Sequence, residues 1–65
     1  MEKIIKALMD EIDEALAISS YHRIAAESGV SQSTVWRVRH GFCKSISTVT
    51  MAKIFDGIKK IKQNA

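Results

Sequence analysis

The stretch SYHRIAAESGVSQSTVWRVRHG, residues 20–41, decides the fold of this 65-residue chain. Its pattern predicts two short helices, over about 21–28 and 32–39, that meet at a turn on Gly29. Glycine has no Cβ and therefore adopts the left-handed backbone conformation that ends a helix and begins a tight turn. Ser20 and Ser31 precede the two helices, and serine is a favourable N-cap because its hydroxyl accepts a hydrogen bond from a free backbone N–H.

The buried residues of this stretch distinguish a helix-turn-helix from a simple helical hairpin. A steep crossing of two helices needs a small residue at the contact, which Ala25 supplies. Val30 follows the turn and fixes it to the core, and Val35 and Val38 anchor the second helix. A hairpin in an ordinary bundle shares the glycine turn but does not need the whole set. The spacing therefore favours a helix-turn-helix at about 21–39.

Two further amphipathic helices flank this unit, over about 2–17 and 48–62. In both, apolar residues recur at intervals of three and four, the pattern of a helix with one buried face. Ser47 is placed to cap the second of them, and Gly57 predicts a break or fraying after Asp56. We therefore expect a compact all-α domain of four or five helices that spans residues 1–65.

The composition argues against several functional classes. A single cysteine, Cys43, forms no internal disulfide, and with His22 and His40 it falls short of a structural zinc site. No histidine–carboxylate pair is spaced to activate a serine, and no glycine-rich phosphate loop is present, so we expect neither an enzyme nor a cofactor. No apolar run reaches the ~20 residues of a membrane span, and the first residues do not form a signal peptide. A cytoplasmic protein is expected.

The charge of the chain is divided unevenly. The net charge is +3, but residues 1–20 carry two lysines against five carboxylates, whereas residues 21–65 carry eight lysines and arginines against two carboxylates. A basic body beside an acidic first helix suggests a polyanionic partner bound on one face. Mildly basic small domains are also common, so the charge alone leaves both interpretations open.

At this point the chain resembles a known family. The run IAAESGVSQSTVWRVRHG, residues 24–41, resembles the helix-turn-helix of the lambda-repressor-like, Cro-type DNA-binding domains. The run TMAKIFDGI, residues 50–58, is similar to the helix that closes that domain. The chain departs from the family at Arg39, where an acidic residue is usual, and at Trp36, where a small or polar residue is common. It also ends about where the fifth helix of the family would run.

The resemblance implies that the helix over 32–39 enters the DNA major groove with its N-terminus first. Glutamine can pair with adenine and arginine with guanine through two hydrogen bonds. Capping of the helix is the alternative role for Ser33 and Thr34, and an ion pair with Glu27 is the alternative for Arg37. On DNA, Thr34 is also placed to reach a phosphate or a thymine methyl. Trp36 either packs on the sugar-phosphate backbone or contacts base methyls, or it covers Phe42 or another apolar neighbour. The residues expected to read bases are Gln32, Ser33, Thr34, Trp36 and Arg37.

Two further sets of residues complete the expected site. Phosphates favour helix N-termini and basic side chains, and such contacts set the register without reading sequence. The expected phosphate-binding residues are Tyr21, His22, Arg23, Arg39, His40, Lys44 and Ser47, with a neutral surface histidine as the alternative for His22. Lys59, Lys60 and Lys62 are expected to form a solvated face. The apolar residues with the least obvious burial, and therefore the expected dimer interface, are Phe42, Ile46, Val49, Ile58 and Ile61.

The sequence thus predicts a sequence-specific regulator of transcription that binds double-stranded DNA. The resemblance implies a Cro-like repressor of phage or prophage type that occupies operator half-sites as a homodimer, formed in solution or only on DNA, and excludes polymerase. One alternative is the antitoxin of a toxin–antitoxin pair, which would bind operator DNA with the same helix and a protein partner with its acidic first helix or C-terminal tail. The other is a helix-turn-helix fold used only for protein binding.

Overall fold

The computed structural model describes residues 2–64, and side chains from residue 3. These residues form four helices and no strand: α1 (Glu2–Ile18), α2 (Tyr21–Ser28), α3 (Gln32–Arg39) and α4 (Thr48–Gln63). The all-α class is confirmed, with four helices in this part of the chain. None of these helices is long and apolar enough to cross a lipid bilayer.

Serine caps begin three of the helices, as the sequence predicts. The hydroxyl of Ser20 accepts from the backbone N–H of Arg23 at 3.3 Å. Ser31 and Ser47 cap α3 and α4 in the same way, each accepting at 3.2 Å from the N–H three residues later. Because the first N–H groups of a helix have no partner inside the helix, these caps fix where α2, α3 and α4 begin.

The turn between α2 and α3 has the geometry predicted from Gly29. This glycine has φ +72° and ψ +30°, in the left-handed region. The N–H groups of Gly29 and Val30 both donate to the carbonyl of Ala25, at 2.9 and 3.1 Å. Val30 packs against the core from the turn. The entry to α3 is therefore set by backbone hydrogen bonds and by one apolar anchor.

All four helices contribute to one apolar core. Ile54 is fully buried between the helices, together with residues from each of the others, and α2 packs most extensively against α4. The expectation that Ile58 and Ile61 face a dimer partner is wrong, because both side chains point into this core and are 1% and 4% exposed. The buried apolar residues are Leu8, Ile12, Ala15, Ile24, Ala25, Val35, Val38, Cys43, Met51, Ile54, Ile58 and Ile61.

Gly57 does not break α4, contrary to the sequence prediction, because the helix continues to Gln63. A Cβ added at Gly57 would lie 2.8 Å from both the Cα and the backbone nitrogen of Ser28. The glycine therefore lets α2 approach α4 at a distance that no side chain allows. Ser28 is itself buried, and its hydroxyl has no hydrogen-bond partner among the described residues.

Candidate nucleic-acid interface

The outer face of α3 is polar, cationic and aromatic. Val35 and Val38 are fully buried, and with 3.6 residues per turn the opposite side of the helix faces solvent. The exposed residues of α3 and its cap on that side are Ser33, Trp36, Arg37 and His40. Three of the five residues predicted to read bases are therefore exposed together on one face.

The N-terminal end of this face joins α3 to α2. The Nε2 atom of Gln32 lies 3.0 Å from Nδ1 of His22, at hydrogen-bond distance. A shallow hollow of ≈ 240 Å³ beside them is lined by Tyr21, Gln32, Ser33 and Trp36. A predicted base reader and a predicted phosphate contact thus lie together, and each limits the side-chain freedom of the other.

Thr34 lies on the side of the helix rather than on its outer face. The residue is half-buried, and its Oγ1 lies 2.8 Å from Oγ of the capping residue Ser31. Ser33 Oγ is farther from the same hydroxyl, at 3.5 Å, and its side chain is exposed. The capping alternative therefore describes Thr34 in this structure, whereas Ser33 faces solvent.

A tight turn at the C-terminal end of α3 folds the chain back over the helix. Gly41 has φ +84°, its N–H donates to the carbonyl of Val38 at 3.1 Å, and the N–H of Phe42 donates to the carbonyl of Arg37 at 2.7 Å. This pair of bonds is the Schellman arrangement, in which the residue after the glycine commonly makes an apolar contact with the last turns of the helix. Here the contact is Phe42 against Trp36.

Trp36 and Phe42 form an exposed pair that we call the aromatic shelf. Their rings are nearly parallel, with an interplanar angle of 14° and centroids 6.0 Å apart. The centroid of the His40 ring lies 4.2 Å from that of Trp36, on a tilted plane. Despite these contacts Trp36 remains 47% exposed and Phe42 61% exposed. Trp36 therefore packs against Phe42, as one alternative holds, and still presents about half of its surface.

Cations border the shelf without internal partners. A hollow of ≈ 400 Å³ beside the aromatic rings is lined by Gly41, Ser45, Arg37 and Lys44. Among side chains 3–64, no carboxylate lies within ion-pair distance of Arg37, Lys44 or Arg23. The predicted alternative for Arg37, an ion pair with Glu27, is therefore absent from this structure. Its guanidinium faces solvent from the outer side of α3.

Arg39, a predicted phosphate contact, is engaged within the fold. Its guanidinium pairs with the carboxylate of Asp13, so that it ties α3 to α1. The residue follows the buried Val38 and lies on the flank of α3 that faces α1. Its charge is thus balanced by an acidic neighbour, and phosphate binding by Arg39 stays a prediction that requires this ion pair to open.

Lys62 has a corresponding role in α4. Its Nζ atom donates to Oε2 of Glu11 at 2.6 Å and to Oε1 of Glu14 at 3.1 Å. These hydrogen bonds raise the pKa of Lys62 above its ordinary value. Lys60 pairs more loosely with Asp56, at 3.8 Å. The expected solvated lysine face is thus correct for the exposed Lys59 and Lys60, but Lys62 is half-buried and engaged with α1.

The remaining predicted residues lie around the loop between α3 and α4. Ser47 is exposed but its hydroxyl caps α4, and Ile46 is half-buried against the core. Val49 is 64% exposed at the start of α4. Of the five residues predicted for a dimer interface, Val49 and Phe42 are the two exposed ones, and Phe42 is already part of the aromatic shelf.

The sequence reasoning missed the form of the turn at Gly41 and the ion pair of Arg39. The turn does have a sequence signal, a glycine directly after a helix and before an aromatic residue, which indicates a Schellman turn. The Asp13–Arg39 pair joins residues 26 positions apart and has no local signal.

Comparisons with known protein families, with curated proteins and with solved structures find no match for this chain. The site is therefore interpreted from its own geometry.

Proposed function

We propose that this chain is a sequence-specific DNA-binding regulator of the lambda-repressor-like type, with α3 as its recognition helix. The observation that carries the proposal is the outer face of α3, where Ser33, Trp36 and Arg37 are exposed over the buried Val35 and Val38. The major groove of B-DNA admits one α-helix and presents a distinct pattern of donors and acceptors for each base pair. A short helix with an unpaired arginine on its outer face suits that groove.

The neighbouring elements supply contacts to phosphate in this proposal. The N-terminus of α2 follows the Ser20 cap and carries His22 and Arg23, both exposed. A helix N-terminus favours an anion because its free N–H groups and its dipole point toward it. Lys44 lies beyond the other end of α3. Phosphate contacts at both ends of the recognition helix would fix its register in the groove.

Base reading is assigned to Gln32, Ser33 and Arg37. Arg37 has no acidic partner among the described side chains, so no internal ion pair must be broken before it contacts a guanine. Gln32 is held beside His22 by a 3.0 Å contact, which reduces the number of conformations that binding must restrict. An adenine contact by glutamine and a guanine contact by arginine are each worth ~1–3 kcal/mol of discrimination.

We further propose that the protein acts as a homodimer on DNA and represses transcription by occupying an operator. One recognition helix covers few base pairs, and proteins with this motif bind two half-sites about one helical turn, ~34 Å, apart. Among the residues predicted for the interface, Val49 is the exposed one outside the aromatic shelf. The antitoxin alternative gains no support from α1, because three of its carboxylates are engaged by Arg39 and Lys62.

Selection of bound sequences from random duplex DNA tests the proposal. We expect enrichment of a two-fold symmetric site, which Arg37→Ala and Gln32→Ala should each alter at one position per half-site. Affinity should fall steeply with salt, with a slope of about −0.9 for each phosphate contacted. Lys59→Ala is the matched control, because Lys59 is an exposed cation of α4 outside the proposed interface. Weak binding with little salt dependence would instead favour a protein-binding role.

A further inference from the structure

We propose that the aromatic shelf of Trp36 and Phe42 makes the protein read thymine, by packing against the C5-methyl group in the major groove. The inference rests on the proposed function and assigns a role to the one part of the outer face that hydrogen bonding does not explain. Trp36 and Phe42 are 47% and 61% exposed, an unusual position for large apolar rings. Such exposure on a proposed reading helix calls for a ligand with an apolar surface.

Contacts within the fold position the shelf before any ligand binds. Phe42 is fixed by its backbone N–H, which donates at 2.7 Å to the carbonyl of Arg37, and by the left-handed backbone of Gly41. Trp36 is enclosed on two sides, with the Phe42 ring at 6.0 Å and the His40 ring at 4.2 Å. Rings that are already fixed lose little conformational freedom on binding, so the contact keeps more of its free energy.

The chemistry of the major groove selects the occupant. Base edges in that groove present hydrogen-bond donors and acceptors, and the thymine methyl is the apolar group among them. A polar base edge pressed against two aromatic rings would lose its water without gaining a hydrogen bond, which is unfavourable. A methyl group in the same position has no hydrogen bond to water to lose. The shelf therefore favours thymine over the other three bases at the position it covers.

Charge argues for DNA rather than a second copy of the chain on this surface. The hollow beside the shelf is bordered by Arg37 and Lys44, and no carboxylate lines it. Two copies that met face to face here would bring like charges together, whereas DNA would place phosphates near the same cations. The aromatic rings and the bordering cations therefore fit a single occupant, a thymine-containing stretch of duplex.

Replacement of thymidine by deoxyuridine tests the inference, because it removes the methyl group and leaves base pairing intact. In an operator obtained by selection, we expect one thymine per half-site whose replacement weakens binding about fourfold, the effect of one buried methyl group. Trp36→Ala should abolish that difference between the two DNAs. Ile18→Ala is the matched control, since Ile18 is a 54% exposed apolar residue of α1 that lines neither hollow beside Trp36, and it should leave the difference unchanged.

The fluorescence of Trp36 provides a second measurement, because it is the single tryptophan of the chain. We expect the operator to shift its emission to shorter wavelength and to protect it from acrylamide, with less protection by the uracil-substituted operator. Specific binding with no thymine-sensitive position, or an unchanged difference in Trp36→Ala, overturns the inference and leaves the proposed function in place. Loss of self-association in Trp36→Ala, with the thymine preference intact, also overturns it. Failure to select any duplex contradicts the proposed function itself.

Discussion

The α1–α4 side and the α2–α3 side of this molecule use charged residues in opposite ways. On the first, Glu11 and Glu14 are paired with Lys62, and Asp13 of α1 is paired with Arg39. On the second, Arg37 and Arg23 have no carboxylate within ion-pair distance among the described side chains. The acidic first helix is therefore largely neutralised within the fold. Unbalanced positive charge is left where α3 faces solvent, and the following predictions test that division.

The largest expected effect is on the packing of α2 against α4. Gly57→Ala places a Cβ 2.8 Å from backbone atoms of Ser28, so α2 and α4 must move apart. Overpacking costs about 1–3 kcal/mol and occasionally more, and a clash with backbone atoms belongs at or above the top of that range, well above the ~1 kcal/mol that alanine gains over glycine in a helix. We expect urea denaturation to show a lower free energy of unfolding.

The control for Gly57→Ala is a double variant that also removes the side chain of Ser28. Ser28→Gly combined with Gly57→Ala should recover little, because the close atoms include the Cα and backbone nitrogen of Ser28. Full recovery in the double variant would show that the serine side chain, and not the helix backbone, sets the distance between α2 and α4. An increase in stability for Gly57→Ala alone would contradict the packing argument altogether.

Gly57 also shows which parts of the fold the sequence reveals. The helix bounds from residue 20 to 48 follow from serine caps and from Gly29, which are local signals, and they are predicted correctly. From the local sequence, Gly57 is predicted to break the helix. Its role is instead to allow close contact with Ser28 of α2, 29 residues away in the chain, which the local sequence does not show. The burial of Ile58 and Ile61 is missed for the same reason, since it depends on where the other helices lie.

In the candidate site as well, some features can be predicted from the local sequence and others depend on tertiary packing. The helical period places Ser33, Trp36 and Arg37 opposite the buried valines, so their exposure can be predicted from the sequence. The partner of Arg39 cannot be predicted from the sequence. Asp13 belongs to another helix, and by sequence each of the five carboxylates in the first 20 residues is an equal candidate. The spatial pairing of charges is decided by tertiary packing, and here it gives one predicted phosphate contact a partner within the fold.

The second prediction concerns the α2–α3 side and its Gly41 turn. Gly41→Ala meets no steric clash, since nothing lies within 4 Å of the added Cβ, but the residue must keep φ +84°. This left-handed conformation costs a side chain about 1–2 kcal/mol. We expect a smaller loss of stability than for Gly57→Ala, together with greater acrylamide quenching of Trp36 as Phe42 moves away.

Asparagine provides the matched control for Gly41. It adopts the left-handed conformation more readily than alanine, so Gly41→Asn should lose less stability and keep Trp36 more protected. Equal effects of the two substitutions would show that the turn does not depend on the positive φ. The contrast with Gly57 is then complete, because one glycine is required by backbone conformation and the other by proximity.

The third prediction concerns the ion pair between Asp13 and Arg39. Asp13→Asn removes the partner of Arg39, whose side chain is 31% exposed at the edge of α3. We expect a loss of stability of no more than about 1 kcal/mol, as for a surface ion pair. DNA affinity should rise, and the salt dependence should steepen by up to about one phosphate contact. Asp10→Asn, which removes an exposed carboxylate outside any ion pair found among side chains 3–64, is the control.

The smallest expected effect tests whether α1 and α4 are joined by Lys62. Hydrogen bonds to Glu11 and Glu14 raise the pKa of Lys62, so the folded state holds this proton more tightly than the unfolded state does. The resulting stability is complete below the unfolded-state pKa of about 10.4 and is lost as the pH rises through the higher folded-state value. A surface pair of this kind contributes about 0.2–1 kcal/mol and is screened by salt.

Lys62→Met isolates this contribution. Burial also raises the pKa of the Cys43 thiol, which lowers stability in alkali as well, but both proteins retain that residue. The free energies of unfolding of the parent and the variant should therefore differ near neutral pH and converge as the pH rises above about 10.4, because only the parent loses the Lys62 charge. A difference that persists unchanged through that range would mean that Lys62 stabilises α1 through the packing of its aliphatic stem, and that its ion pairs with Glu11 and Glu14 add nothing measurable to stability.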